Sequence, residues 1–343
     1  MRVVVAEDRL NGLIQRSSNV VLFGHENPDG DSIGSCMAMY RYLEGLGRRA
    51  HIIINSRLPE YFSFLIPEGV VSYYTEAPED CERLVAGADL LVFLDMNGAD
   101  RAGGVAKAVE KARKGDVKPA MVLIDHHLNP KAEEFDIVIS DTEVSSACEL
   151  LYQVLLSQPG VAGDVNKLSL ECAKALFTGI LTDTNNFANS VYPSTYMAVS
   201  ALQGRGVDRD AIFNHVFRSY SQQRMRLMGH MLQDNMRCIA HGVAYFTLSR
   251  RTKEEFGFVK GDSEGFVNLP LAIKDIKMTA FFTEEEDYIK VSLRSKGDID
   301  VNEFSRRYCN GGGHRNASGG RLYMPMEEVP AYFESKVNEY FAG

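Results

Sequence analysis

AMVLIDHH, residues 120–127, is the stretch on which the reading of this chain turns. Ala120 to Ile124 form an apolar run without alternation, and the run ends on Asp125, His126 and His127. Such a run suits a strand buried on both faces, as in a parallel sheet covered by helices on either side. Working outward, DLLVFLD (89–95) repeats the pattern and ends on Asp95, while Val20–Gly24 leads into HENPDGD (25–31). Shorter runs at Ala50–Asn55 and Asp136–Ser140 read as further strands. Helical stretches, one running to about Leu46 and one over Val105–Lys114, separate them. Strands alternating with helices predict an α/β domain with a doubly wound parallel sheet.

From Ser145 the pattern turns helical, with helices expected near 145–157, 168–181, 194–203 and 209–218. SQQRMRLMGHMLQDNMR (221–237) reads as one long connecting helix. The expected organisation is a first domain over 1–220, a linker helix over 221–238 and a smaller α+β domain over 239–343. The smaller domain's strands are expected near 243–249, 277–283, 288–295 and 321–324, with a last helix over 327–341.

The 343 residues carry 45% hydrophobic and 24% charged side chains, an ordinary globular balance with no sign of disorder. No apolar run approaches the roughly 18–20 residues that span a bilayer, and no secretory signal is apparent. The six cysteines are scattered without a CxxC pair, which predicts buried reduced thiols and a cytoplasmic protein. A net charge of −9 argues against broad binding to long nucleic acid, which rests on many Lys/Arg–phosphate contacts. A short anionic substrate in a focused pocket remains compatible with it.

Four polar groups fall where strands end or helices begin, the positions that converge outside the carboxyl ends of an open α/β sheet. They are His25 with Asp29 and Asp31, then Asp95, then Asp125-His126-His127, and then Asp183 in TGILTDT (178–184). Taken singly, Asp31 could be a helix N-cap, Asp29 and Asp95 turn residues, and Asp183 a polar helix end. A His and two Asp crowded at one strand end are not explained in that way. Adjacent histidines at a strand terminus point in different directions, so one can face a metal and the other a substrate.

These segments together resemble the DHH phosphoesterase superfamily, whose name is the triplet at 125–127. HENPDGDSIGS (25–35), LDMN (94–97) and TGILTDT (178–184) match its other signatures in order. VSLRSKGDIDVNEFS (291–305) and GGGHRNASGG (311–320) resemble the DHHA1 substrate domain of its oligoribonuclease and 3′-phosphoadenosine 5′-phosphate phosphatase branch. The resemblance implies a DHH domain joined to a DHHA1 domain. It also implies two divalent cations, one on His25 and Asp29, the other on Asp31, His126 and Asp183, with Asp95 bridging. Asp125 would stand behind His127, and His127 would face the scissile phosphate. The mixed His/carboxylate set suits Mn²⁺.

Four ligand carboxylates cancel two divalent cations, and an attacking hydroxide leaves the centre at −1. An anionic phosphoester then needs cations from elsewhere. Arg294, His314 and Arg315 are candidates, beside Gly311, Gly312 and Gly313, whose amides could form an anion-binding nest. Arg101 is a further candidate. The implied activity is a metal-dependent hydrolase that cleaves short oligoribonucleotides to nucleoside monophosphates and removes the 3′-phosphate of 3′-phosphoadenosine 5′-phosphate. The implied partners are those substrates, with no membrane and with room for a homodimer. Phosphodiesterase action on linear or cyclic dinucleotides is the second reading. A pyrophosphatase would lack GGGH, a RecJ-type exonuclease would be larger, and a non-enzymatic nucleotide-binding module would have lost metal ligands.

Overall fold

The unalternating apolar runs become the centre of a six-stranded parallel sheet. The computed structural model describes residues 2–115 and 118–342, with side chains from residue 8 onward. It divides into two units, Met1–Ser219 and Tyr220–Gly343.

The first unit opens with helix α1 (Arg2–Arg16), strand β1 (Asn19–Phe23), helix α2 (Gly30–Gly45), β2 (Arg49–Ile54) and β3 (Val71–Tyr73). It continues through α3 (Pro78–Ala86), β4 (Leu90–Leu94), α4 (Ala106–Arg113), β5 (Ala120–Asp125) and β6 (Ile137–Ser140). Helices α5 (Ala147–Ser157), α6 (Leu170–Asp183), α7 (Pro193–Gly204) and α8 (Arg209–Phe217) complete it. The strand order is β3-β2-β1-β4-β5-β6, and every pairing is parallel.

Both faces of this sheet are buried, which is why its strands read as continuous apolar runs. Leu22, Val92 and Ile124 pack on one face with side chains of α1, α2, α5 and α6. Their neighbours Phe23, Phe93 and Leu123 pack on the other with α3 and α4. Phe23 and Phe93 stack with centroids 4.7 Å apart. Each such buried side chain contributes roughly 1.5–3 kcal/mol from removal of apolar surface from water. The order reverses direction between β1 and β4, so the carboxyl ends of these neighbours flank the crevice where open α/β sheets bind ligands.

The second unit contains α9 (Gln222–His230), β7 (Arg237–Ile239), β8 (Val243–Leu248), α10 (Arg250–Glu255), β9 (Met278–Glu284) and β10 (Ile289–Ser295). Helix α11 (Val301–Tyr308), β11 (Gly312–His314), β12 (Ala317–Leu322) and α12 (Val329–Ala342) follow. Its sheet has the order β11-β12-β10-β9-β8-β7, antiparallel except for the β8–β9 pair.

Two expectations change here. The long helix over 221–237 ends as an α-helix at His230, runs through a π-turn (Met231–Asn235), and gives way to β7 at Arg237. Leu227 and Met231 are buried against Phe246, Phe266 and Phe281, so this segment belongs to the second unit's core instead of standing as a separate linker. The strand expected at 321–324 is observed at Ala317–Leu322, because Gly319 pairs with Gly312 of β11 and Gly320 with Val291 of β10, and neither lies in a turn.

All six cysteines are free, five of them buried and Cys238 exposed. Among the described residues, no helix is long and apolar enough to cross a membrane.

Candidate metal centre

Each polar group singled out in the first unit's sequence lies at a strand or helix end. His25 follows β1, its amide donating to the buried Ser32 Oγ at 3.1 Å. Asp29 is the N-cap of α2, its Oδ1 accepting from the amides of Asp31 and Ser32. The capping role thus falls to Asp29. Asp31 is instead 1% exposed, and its two oxygens accept from the Ala147 and Cys148 amides at 2.6 and 2.9 Å. Those amides are the positive end of α5, a terminus suited to orienting a carboxyl group. The Ser146 hydroxyl caps α5 by accepting from the Glu149 amide, and the buried Glu149 accepts from Ser145 and Thr195. This supporting layer was missed in the sequence, although Ser146-Ala147-Cys148-Glu149 has the spacing of a capping box.

Asp95, just beyond β4, has φ = 59°, a left-handed backbone that Asp tolerates better than most residues. Its Oδ2 lies 3.5 Å from His25 Nε2, and its Oδ1 lies 3.5 Å from His126 Nε2. One carboxylate therefore faces His25 through one oxygen and His126 through the other, with His127 Nδ1 at 3.7 Å from Oδ1 as well. Around Oδ2, His25 Nε2 is 3.8 Å from Asp29 Oδ1. Around Oδ1, His126 Nε2 is 3.8 Å from Asp31 Oδ2 and 3.7 Å from Asp183 Oδ2. The His127 ring meets that of His126 edge-on, with centroids 4.9 Å apart, and its Nδ1 donates to Asp125 Oδ1 at 2.6 Å.

These separations exceed hydrogen-bond lengths. They approach the roughly 3.0–3.5 Å between donors that share an ion at about 2.1 Å. Two buried atoms in the cluster, His25 Nδ1 and Asp125 Oδ2, have no hydrogen-bond partner among the described residues. Orphaned polar atoms are costly when buried, and here they adjoin donors set at ligand spacing. The donor set thus fits divalent cations, in one group of His25, Asp29 and Asp95 and another of Asp31, Asp95, His126 and Asp183.

Protonation is strained to match. Burial disfavours charge on His25, but Asp29 and Asp95 outweigh it and lift its pKa to about 10. Burial likewise opposes the charge on His126, yet Asp95, Asp183 and Asp31 raise it to about 10. Burial pushes Asp183 up to about 6, with His126 opposing and Asp29 and Asp95 reinforcing. Burial and the charges of Asp95 and Asp183 hold Asp31 well above the usual carboxylate range. Burial would raise Asp95 too, but His126 and His25 keep it well below that range. Without metal the protons on these histidines stand in for the missing positive charge.

Close helix packing brings Asp31 and Asp183 to the same cluster. A Cβ on Gly34 of α2 would meet Ala175 O of α6 at 2.7 Å. A Cβ on Gly179 of α6 would lie 2.1 Å from Cys148 Sγ and 2.7 Å from Asp31 Oδ1. Gly179→Ala is therefore expected to lower stability by about 1–3 kcal/mol and to weaken metal binding. Thermal melts with and without Mn²⁺ check both: a wild-type melting temperature and metal response would contradict this packing.

Of the remaining candidates, Arg101 is exposed, and its carbonyl accepts from the Glu26 amide at 2.7 Å, beside His25. In the second unit, the sheet register places Arg294, Ala317 and His314 in one row across β10, β12 and β11. Directly paired residues share a face, so Arg294 and His314 flank the small Ala317 at roughly 10 Å, twice the strand spacing. The amides of Gly311 and Gly313 donate to Ser305 O and Asn302 Oδ1, so neither is left over for the anion nest expected there. The glycines serve close packing: a Cβ on Gly313, at φ = 149°, would meet Ala317 O at 2.7 Å. Gly312 has more room, its nearest neighbour for a Cβ being Asn302 Oδ1 at 3.4 Å. Arg315 is turned to Asp298, donating to its carbonyl and carboxylate, and not into the row of Arg294 and His314.

A doubly wound sheet with this cluster at its switch point, followed by a mixed-sheet domain, defines a class, and comparison with known proteins agrees. Residues 19–180 match the DHH family, N-terminal domain, and residues 241–342 match the DHHA1 domain. The chain belongs to the DHH/DHHA1 phosphoesterase family. It is 30% identical to the bifunctional oligoribonuclease and PAP phosphatase NrnA of Thermus thermophilus, over 87% of this chain and 82% of that one. An exopolyphosphatase-related protein from Bacteroides fragilis superimposes with a TM-score of 0.89 at 32% identity, over 98% of this chain and 96% of the other. The cyclic-di-AMP phosphodiesterase GdpP of Bacillus subtilis is 25% identical over 100% of this chain but only 51% of its own length.

Proposed function

We propose that this chain is a two-metal phosphohydrolase that cleaves short oligoribonucleotides to nucleoside monophosphates and dephosphorylates 3′-phosphoadenosine 5′-phosphate. The observation that carries the reading is Asp95, whose two oxygens face two separate groups of donors. His25, Asp29 and Asp95 would hold one cation, and Asp31, Asp95, His126 and Asp183 the other. Mn²⁺ suits this mixture of imidazole and carboxylate. Bound divalent cations supply Lewis acidity to the phosphoryl oxygens and lower the pKa of water.

The chain's own groups do the rest. Asp125, fully buried, fixes the His127 ring by accepting from Nδ1, so that the doubly protonated ring would donate from Nε2 a hydrogen bond to the phosphoryl group or a proton to the leaving oxygen. Arg294 and His314 would neutralise substrate phosphate, with the Gly312-Gly313 backbone against the terminal nucleotide. Arg101 is a further contact to the anion, and Arg315 supports the hairpin through Asp298. Similarity to NrnA of Thermus thermophilus supports the substrate class.

The test is hydrolysis by the purified protein with Mn²⁺ of a labelled diribonucleotide, 3′-phosphoadenosine 5′-phosphate, cyclic di-AMP and pyrophosphate. The first two are expected to yield mononucleotides. Turnover of pyrophosphate alone, or of cyclic di-AMP alone, would overturn the proposal. His314→Ala is expected to raise KM about tenfold or more with a smaller effect on kcat, the loss of one charge-assisted hydrogen bond. An unchanged KM would remove His314 from the substrate contacts.

A further inference from the structure

At the amino ends of β5 and β6, the opposite end of these strands from His126, lies an open cavity of about 590 Å³. Among the described residues Arg9, Arg16, Arg113 and Lys118 line it, against one carboxylate, Asp136. The first 219 residues carry 20 Lys+Arg against 29 Asp+Glu, so a cavity whose described lining has more basic than acidic side chains runs against the domain's own balance.

These four cations converge on one concavity. Elsewhere in the domain Arg41, Arg57, Arg83, Lys114, Lys131, Lys174 and Arg209 are paired with a carboxylate, whereas among the described residues Arg48, Arg49, Lys107 and Lys111 are not. Among the described residues none of the four cavity cations makes an ion pair. Arg9 donates to the Asp136 carbonyl at 2.9 Å, and Arg113 donates to the Glu134 carbonyl. These contacts orient the guanidinium groups without neutralising them. The Asp136 carboxylate is turned to the Met121 amide at 2.8 Å.

Arg16 and Arg113 lie in the last turns of α1 and α4, where a cation offsets the partial negative charge of a helix end. That accounts for two of the four. Arg9 is mid-helix and Lys118 lies in the loop before β5, and neither is placed by that effect. Leu13, Pro119 and Ile137 add an apolar wall.

We propose that this cavity is a second ligand site of the domain, distinct from the metal centre, and that it binds a small phosphorylated ligand of the nucleoside phosphate class. Its volume falls within the roughly 300–1,000 Å³ typical of small-molecule sites. Arginine forks match phosphate oxygens pairwise, and several uncompensated cations around one concavity focus the field on an anion. The apolar wall would take the uncharged part of the ligand. The site does not depend on the reaction at the metal centre.

The test is isothermal titration of the full-length, Mn²⁺-loaded protein with AMP, with inorganic pyrophosphate as a parallel probe. The wild type is compared with the charge-reversed variant R16E/K118E. Both positions are exposed, so the fold should tolerate the change, and thermal melts verify it. Expected are two classes of AMP site in the wild type, one weakened at least tenfold in the variant, with unchanged hydrolysis of a diribonucleotide. AMP should also slow hydrogen exchange over residues 9–16 and 118–123 in the wild type alone. Competition by pyrophosphate would assign recognition to the phosphate end, whereas AMP binding that pyrophosphate leaves untouched would overturn a phosphate-led site. A single class of site in the wild type, or identical isotherms in wild type and variant, would also overturn the proposal.

Discussion

Asp95→Asn is expected to lower kcat/KM by about three orders of magnitude or more, roughly 4 kcal/mol of transition-state stabilisation. Asp95 is the one carboxylate with oxygens at 3.5 Å from both His25 and His126, so a single amide nitrogen disturbs both proposed cation sites. The change removes one negative charge and one donor oxygen while keeping the side chain's shape. The left-handed backbone at φ = 59° also suits Asn, so the fold should survive. Asp29 is about half exposed and touches only the His25 side, so Asp29→Asn should cost less. Steady-state kinetics with metal analysis check the pair. Equal activity of Asp95→Asn and wild type, with two cations still bound, would remove the bridging role.

The second large effect is the pH dependence of metal binding. In the metal-free protein His25 and His126 have pKa values of about 10, above the roughly 6.5 of an unfolded chain. Their contribution to stability is complete below about 6.5 and is lost as pH rises through about 10. Asp183, raised to about 6, acts in the same sense: its contribution is complete below about 3.9 and is lost as pH rises through about 6. Asp95, held low, acts oppositely, its contribution lost only as pH falls through that depressed value.

From pH 6.5 to 8.5 the metal-free protein should therefore lose stability, while binding of a cation displaces protons from both histidines. Each proton released makes the affinity rise tenfold per pH unit, so Mn²⁺ affinity should climb by a factor of ten to a hundred per unit. The melting-temperature gain on adding Mn²⁺ should grow over the same interval. Calorimetry in buffers of different ionisation enthalpy counts the protons directly. A pH-independent affinity with no proton release would contradict the assignment of His25 and His126 as ligands.

Much of the first domain is legible because burial on two faces leaves a mark in the sequence. β1, β4 and β5 are apolar without alternation, and their polar ends stand out against the run. β3 is only three half-buried residues, too short to show a period, and α1 buries little more than Leu10 and Ile14 among its described side chains. Both therefore went unread, as did α3, which opens on Pro78 and is largely polar.

The ligand residues were legible for a chemical reason, since His and Asp at strand ends are conspicuous. What holds them is not. Asp31 is fixed by backbone amides of α5, which any residue other than proline could supply, and only the Ser146/Glu149 spacing hints at it. The need for glycine at 179 exists only once α2 and α6 cross. In the second domain the glycines before His314 suggested an anion nest, but Gly311 and Gly313 are required by strands packed too closely for a side chain.

The most direct test of the two-metal account is anomalous diffraction at the manganese edge from crystals grown with Mn²⁺. The account predicts two peaks about 3.5–4 Å apart, one within ligand distance of His25 and Asp29, the other of Asp31, His126 and Asp183, with Asp95 touching both. A single peak, or two peaks that do not share Asp95, would contradict it.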